Sequence, residues 1–485
     1  MKYNRVLLVK FYTKVGYGPR RPPVGLGYIA EALKNAGVPY EVFDCDLGYT
    51  VEDLLEKVKN YKPDLIGISM VTLGYLSFYQ IIDRIKKVSE SDIVVGGPHI
   101  STMREKGLAD CQGIDFGIVG EADRSIVDLC RDKPLDQIEG LIYRDRDEIR
   151  FNGVVPPIKD LDSLGFPTYE GFELDKYYGF KTELSLVTSR GCPYGCIYCS
   201  VRLIMGPRMR FRTANNVVDE IEYWTKQGYH SFAIMDDNFS HDRQRVLDIC
   251  DEIEKRGLTG FKISLANGLR ADRVDSHLLQ RLKDVGAFEV QIGVEAASDP
   301  ILKFLKKGEK IETIRKGIEI ALDLNYDVGT CFLVGTPGEK WDDVQDSFKF
   351  VLGYPLTRAF FFNIIPYPGT YIYDYLKEKD LMLKKPEMYL GTLRQNSNEP
   401  VFYTPELSVK QRKKLLKQAR RVSDKVRYKY LRNRLSRFGL FAALPAFLGS
   451  WHISVPFLKR SRFFNLAILP HYLKTRKQKS GNGDE

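Results

Sequence analysis

Three cysteines stand within eight residues in Ser189-Arg190-Gly191-Cys192-Pro193-Tyr194-Gly195-Cys196-Ile197-Tyr198-Cys199, spaced C-x3-C-x2-C. That spacing can turn three thiolates onto one small cluster, and soft thiolates suit iron–sulfur chemistry. An ordinary [4Fe–4S] cluster takes four ligands, so three leave one iron open for a substrate to bind. A structural zinc site needs a fourth Cys or His, and the next candidate, His230, lies 31 residues past Cys199. Cysteines of an ordinary core have no reason to gather at the mouth of a strand with Gly and Pro between them. The other five of the eight cysteines are scattered, and residues 1–11 read as a first strand rather than a signal peptide. The chain is therefore expected to keep its thiols reduced, in the cytoplasm.

The elements that position this triplet follow from hydrophobic periodicity. With 485 residues, 44% hydrophobic and 28% charged, the chain can bury large cores in about two to four domains, and a disordered, collagenous or polytopic membrane class is excluded. Short apolar runs at residues 5–11, 40–44, 65–69, 93–97 and 116–119 alternate with helical patterns at 26–35, 51–60 and 79–88. This predicts an α/β, doubly wound, Rossmann-like parallel sheet over residues 1–135, with ligands at the carboxyl ends of its strands. Residues 136–181, rich in Pro and aromatics, form a linker that wraps rather than tethers. Residues 182–395 repeat strand and helix six times, with strands near 184–189, 232–236, 262–267, 289–295, 327–334 and 359–365, the pattern of a partial (β/α)6 barrel. The cysteines directly follow its first strand.

The remaining region, 396–485, is helical, basic and then apolar. Residues 406–485 hold 20 Lys and Arg against four acids, whereas residues 1–405 hold 53 against 59. Basic residues 410–437 precede apolar runs at 438–451, 455–458 and 463–469, the longest of which contains Pro445. These runs fall short of the ~20 residues that span a bilayer and suit a segment lying on an anionic membrane surface. A helical lid packed on the barrel is the alternative. Nucleic acid is disfavoured, because basic residues alone, without a recognisable RNA-binding appendage, do not specify it.

The triplet with aromatic Tyr198 before its last cysteine resembles the signature of the radical S-adenosylmethionine superfamily, and the later strand ends match that family over about residues 182–390. The resemblance implies that Cys192, Cys196 and Cys199 hold a [4Fe–4S] cluster whose fourth iron chelates S-adenosylmethionine. One electron then cleaves the sulfonium to methionine and a 5′-deoxyadenosyl radical that abstracts hydrogen. Asp236-Asp237-Asn238-Phe239 ends the second strand, where the family places polar groups at the methionine end of the cofactor. Gly293-Val294-Glu295-Ala296-Ala297-Ser298 is similar to the family's G-V-E-S-G, with Ala where Ser and Gly are usual, and Glu295 would lie near the ribose or amino group. Thr336, in Gly335-Thr336-Pro337-Gly338-Glu339, ends the fifth strand, and Pro366-Tyr367-Pro368-Gly369-Thr370 follows the sixth.

The front region resembles the cobalamin-binding domain of B12-dependent radical enzymes. The matching elements are Pro22-Pro23-Val24-Gly25-Leu26-Gly27-Tyr28, Gly96-Gly97-Pro98-His99 and Gly120-Glu121-Ala122-Asp123, the last departing from the more frequent G-E-G-E. The resemblance implies that Gly97 and Pro98 let backbone approach a corrin, with Ser69 and Thr72 at its nucleotide tail and His99, Gly120 and Glu121 in the same set. The D-x-H-x-x-G motif that ligates cobalt elsewhere is absent, so a protein histidine is not expected on the metal. The expected activity is cobalamin-dependent methylation of an unactivated carbon in a hydrophobic, lipid-like or tetrapyrrole substrate, fed by a flavodoxin- or ferredoxin-type electron donor. The alternatives are oxidative cyclisation, as in the anaerobic magnesium-protoporphyrin cyclase that this architecture resembles, RNA modification, or non-catalytic iron–sulfur binding.

Overall fold

The computed structural model describes residues 1–11, 21–177, 183–392 and 397–435. Its first sheet holds β1 (Val6–Lys10), β2 (Tyr40–Asp44), β3 (Leu65–Ser69), β4 (Asp92–Gly96), β5 (Phe116–Ile118), β6 (Leu141–Asp145) and β7 (Glu148–Phe151), in the order β2-β1-β3-β4-β5-β6-β7. Strands β1 to β5 run parallel. Their continuous apolar runs, such as Val6-Leu7-Leu8-Val9, are what helices on both faces of a sheet require. The order reverses between β1 and β3, which places a ligand site beyond the carboxyl ends of the strands there. The sheet also continues past residue 135, where the sequence suggested a linker, because β5, β6 and β7 form an antiparallel meander. The β6–β7 turn uses Arg146 at φ 56° instead of an Asn-Gly pair, so the usual hairpin signal is missing.

The second sheet holds β8 (Leu184–Leu186), β11 (Ser231–Ile234), β12 (Lys262–Leu269), β13 (Ala287–Glu295), β14 (Asp327–Val334) and β15 (Arg358–Asn363). All neighbouring pairs are parallel, in the order β15-β14-β13-β12-β11-β8, and β8 does not pair with β15. The partial barrel therefore has two open edges. The single strand expected over 184–189 divides into β8 and β9 (Ser189–Arg190), and β9 pairs antiparallel with β10 (Arg210–Phe211). The helices Ala214–Lys226, Arg243–Lys255 and Ser276–Asp284 begin at Thr213, Asp242 and Asp275, whose side chains accept the N–H three residues on, which satisfies a donor that the first helical turn leaves unpaired.

The helix Val409–Leu435 packs along β15 and the helix Trp341–Gly353. Leu415, Leu416, Ala419, Val422 and Val426 are buried on one face, and ten exposed Lys and Arg occupy the other. The lid arrangement thus holds for this helix, which covers an open barrel edge. The apolar runs at 438–451, 455–458 and 463–469 lie outside the described residues. No helix among the described residues is long and apolar enough to cross a membrane.

Candidate active site at the domain boundary

The cysteine loop rises from the β9–β10 ladder. Gly191 takes φ 95°, and a Cβ there would stand 2.3 Å from the Arg208 carbonyl oxygen, so only glycine lets the chain turn into Cys192. The Gly191 N–H donates to Asp237 at 3.1 Å, that of Cys192 to the Gly206 carbonyl at 3.3 Å, and that of Ile197 to the Leu305 carbonyl at 3.1 Å. All three cysteines are partly exposed, whereas Cys45, Cys111, Cys130 and Cys250 are buried. Burial raises each of the three thiols, Cys199 to about 11, and Cys192 and Cys196 add to the shift at Cys199. The three sulfurs thus sense one another's charge. Among the described residues no three His, Cys, Asp or Glu side chains close on one point as ligands of a single ion do. A [4Fe–4S] cube asks for something different, because each thiolate ligates its own iron corner. Three soft donors on a partly open loop fit that group.

Around the loop the structure gathers a charged network that the spacing of the motifs did not reveal. Glu295 sits at φ 67°, a left-handed conformation rare for a non-glycine, at a register shift between β13 and β14. Its carboxylate accepts from the buried Lys307 ammonium at 3.2 Å, and its charge adds to burial in raising the Tyr198 phenol. Lys307 lies 3.6 Å from Glu309, as does Arg270, and Arg270 stacks 3.6 Å from the centroid of Tyr194. Lys307 and Arg270 both favour the thiolate forms of Cys192 and Cys196. Lys306-Lys307-Gly308-Glu309 reads in sequence as a solvated charge run, and only the fold puts Lys307 and Glu309 inside.

Asp236, expected at the methionine end of the cofactor, is buried, and its carboxylate accepts the Thr188 N–H, the Thr188 hydroxyl and the Ser189 hydroxyl, each at 2.6 Å. These bonds engage both oxygens and tie β11 to the stem of the loop. Asp237 is half-buried and burial raises its carboxyl to about 6; besides Gly191 it can meet a ligand. Thr336 is buried with its hydroxyl unpartnered. The loop around it is anchored by Glu339, which accepts the Gly335 and Thr336 N–H groups, and by Arg412 of the basic helix, which is buried against Gly335 and donates to Asn363 at 2.6 Å.

Strand alternation identifies the barrel interior. Phe332 and Phe361 stack on each other and reach Phe350 and Phe348 of the flanking helix, so Cys331, Leu333, Phe360 and Phe362 face the other way, into the lumen. Gln291 donates to Cys331 at 3.1 Å, and both Glu295 and Lys307 act electrostatically on that thiol. One wall of the lumen is apolar, and the cysteine loop with its charges lies above it.

In the front domain Ser69 ends β3, and Gly97, at φ 92°, follows β4; a Cβ on Gly97 would press within 3.2 Å of the Met70 carbonyl. Gly96 has nothing within 4 Å of its absent Cβ, an open cradle at the strand ends. Thr72 is buried beside them, and Gly120 donates its N–H to Ser101 at 3.1 Å. Two residues of the expected corrin set are used otherwise. The His99 ring is fully buried, stacked on Tyr75 at 4.7 Å with Nε2 2.8 Å from the Tyr79 hydroxyl. Glu121 accepts from Ile158 N–H, Arg190 and Arg210 at 2.8–3.0 Å. The helix Pro98–Met103 packs against Val201–Ile204, the helix that follows Cys199, so the two candidate cofactor sites adjoin.

Comparison with known proteins agrees with this division. Residues 16–129 match the B12 binding domain and residues 186–351 the Radical SAM superfamily. An uncharacterized methyltransferase of Pyrococcus horikoshii is 28% identical, over 86% of this chain and 92% of its own. The anaerobic magnesium-protoporphyrin IX monomethyl ester cyclase of Cereibacter sphaeroides is 25% identical, over 74% of this chain and 61% of its own. The radical S-adenosylmethionine methyltransferase TsrM of Kitasatospora setae, solved with cobalamin and a [4Fe-4S] cluster bound, shares the fold with a TM-score of 0.68, covering 87% of this chain and 89% of that one at 18% identity.

Proposed function

We propose that this chain, which matches the Radical SAM superfamily over residues 186–351 and the B12 binding domain over residues 16–129, methylates an unactivated carbon of an apolar substrate. Its cofactors in this reading are a [4Fe–4S] cluster on Cys192, Cys196 and Cys199, S-adenosylmethionine, and cobalamin at the ends of β3, β4 and β5. Bound together, these groups supply one-electron cleavage of S-adenosylmethionine, hydrogen abstraction from carbon, and a methyl group to replace the hydrogen. The observation that carries the proposal is the contact between the helix opening at Gly97-Pro98 and the helix following Cys199, since methyl donor and radical must reach the same carbon. Asp237, Glu295, Tyr198 and Thr336 bind and orient S-adenosylmethionine, while Lys307 and Arg270 offset the negative charge of the cysteine ligands. Leu333, Phe360 and Phe362 hold the substrate and exclude water from the lumen. Ser69, Thr72, Gly97, Pro98 and Gly120 line the corrin.

The relatives support two chemistries, methyl transfer and ring closure, which differ in product mass. Anaerobic reconstitution with iron, sulfide, cobalamin and reductant, followed by mass spectrometry after incubation with membrane extract, separates them. A product heavier by one methylene unit is expected. A product lighter by hydrogens would replace methylation with cyclisation. We further place the enzyme at the cytoplasmic face of the membrane, held by the basic helix and supplied by a small one-electron carrier protein.

A further inference from the structure

The stem of the cysteine loop carries two arginines side by side. Arg190 and Arg210 are directly paired in the β9–β10 ladder, and both are buried, 8% and 9% exposed. Opposed like charges destabilise a strand pair, and buried ones do so severely unless neutralised. Among the described residues, every carboxylate that forms an ion pair with them belongs to the front domain. Glu121 accepts from Arg190 at 3.0 Å and, with both oxygens, from Arg210 at 2.8 Å; Asp123 accepts from Arg190 at 3.3 and 3.5 Å. The Arg190 guanidinium also lies 5.1 Å from the centroid of Tyr28, on the first helix of the same domain. The remaining partners are the neutral carbonyls of Ile158 and Met205, which accept from Arg210 at 2.8 and 3.1 Å. Asp237 of the barrel is within electrostatic reach of both arginines but spends its bond on Gly191.

Only Gly191 separates Arg190 from Cys192, and that glycine is wedged against the Arg208 carbonyl. A displacement of Arg190 therefore passes directly into the first cysteine. Glu121 in turn follows Gly120 at the end of β5, in the row of strand ends assigned to the corrin. We propose that Glu121 and Asp123 are positioning residues for the cysteine loop: by neutralising Arg190 and Arg210 they clamp the ladder that aims Cys192, so the loop takes its shape only with the front domain docked. The clamp consists of protein atoms alone, and only its consequence for a cluster rests on the function proposed above.

The test compares the full-length chain with Glu121→Gln/Asp123→Asn and with the conservative Glu121→Asp. Hydrogen exchange on the metal-free proteins should accelerate at least about tenfold over residues 189–212 in the double variant, as expected when a buried pair loses its countercharge. Exchange in β1, β3 and β4 should stay unchanged, and Glu121→Asp should restore most of the protection. After reconstitution the double variant should keep its iron while the electron spin resonance line of the reduced cluster broadens and shifts less on adding S-adenosylmethionine. Native exchange over 189–212 in the double variant, or an equal acceleration in β1, β3 and β4, would overturn the clamp. A wild-type chain that assembles no cluster would defeat the functional reading instead, leaving the exchange result to decide the clamp.

Discussion

At the scale of single residues, chemistry is set by which polar groups remain free. The three loop cysteines are partly exposed, and Cys192 and Cys196 both add to the raised thiol of Cys199. Cys192→Ala, Cys196→Ala or Cys199→Ala should each abolish the iron–sulfur absorbance of the reconstituted protein, while Cys45→Ala and Cys250→Ala keep it. Full iron content in Cys196→Ala would remove the basis of the site. His99 illustrates the opposite case. Burial pushes its imidazole down to about 4, so between that value and the unfolded value near 6.5 the unfolded chain binds the proton first. Stability from this group is intact above pH 6.5 and falls as pH drops toward 4, by about 3 kcal/mol in all at ~1.4 kcal/mol per unit. His99→Phe should flatten the loss between pH 7 and 4.5 in urea titrations; an identical acid loss would show that the ring is not the source. Because the ring is enclosed, the hyperfine pattern of Co(II) cobalamin on the protein should be the same in the wild type and in the variant.

At the scale of elements, the basic helix Val409–Leu435 is the part whose role changed most between sequence and structure. Its composition suggests a peripheral segment, yet its apolar face closes the β15 edge and its Arg412 reaches the loop of Thr336. Burial lowers the Arg412 guanidinium and raises the Glu339 carboxyl beneath it, and their opposite charges resist both shifts. A chain ending near residue 405 should therefore aggregate or lose its cluster, in contrast to the behaviour of a dispensable anchor. The milder Leu415→Ala should cost about 2–5 kcal/mol, the usual range for truncating a fully buried leucine, measured by denaturant unfolding. A loss below about 0.5 kcal/mol, the range of surface substitutions, would mean that the helix is not packed as described.

At the scale of the whole molecule, two sheets share one boundary, and charge is divided between the body and the segment after residue 405. Ten Lys and Arg of the basic helix are exposed; Lys413 pairs with Glu399, Lys429 donates to the Leu352 carbonyl and Arg434 lies 3.6 Å from Asp327, whereas Lys410, Lys417, Arg421 and Lys425 stand on the solvent side after the helix has packed. Each contributes roughly 1 kcal/mol near an anionic surface, screened beyond a Debye length of about 8 Å at physiological salt. The full chain should sediment with anionic vesicles and not with neutral ones, and less as salt rises. Replacing the exposed Lys410, Lys417, Arg421 and Lys425 by Gln should weaken sedimentation without lowering thermal stability. Unchanged sedimentation would take the helix out of membrane binding.

The sequence by itself determined what is encoded over a few neighbouring residues. The C-x3-C-x2-C spacing, the strand periods on either side of it and the order of the two α/β regions are local patterns, and the fold reproduces them. The hairpin β6–β7 escaped because its turn lacks the usual residues and its outer strand is half exposed. Tertiary structure alone decided which acids and bases are already spent. Asp236 is consumed by Thr188 across 48 residues, and Glu121 by Arg190 and Arg210 across 69 and 89. His99 is enclosed by the aromatic rings of Tyr75 and Tyr79. A charge taken out of water must find its counterpart wherever the chain passes, and no rule of spacing along the sequence specifies where that is.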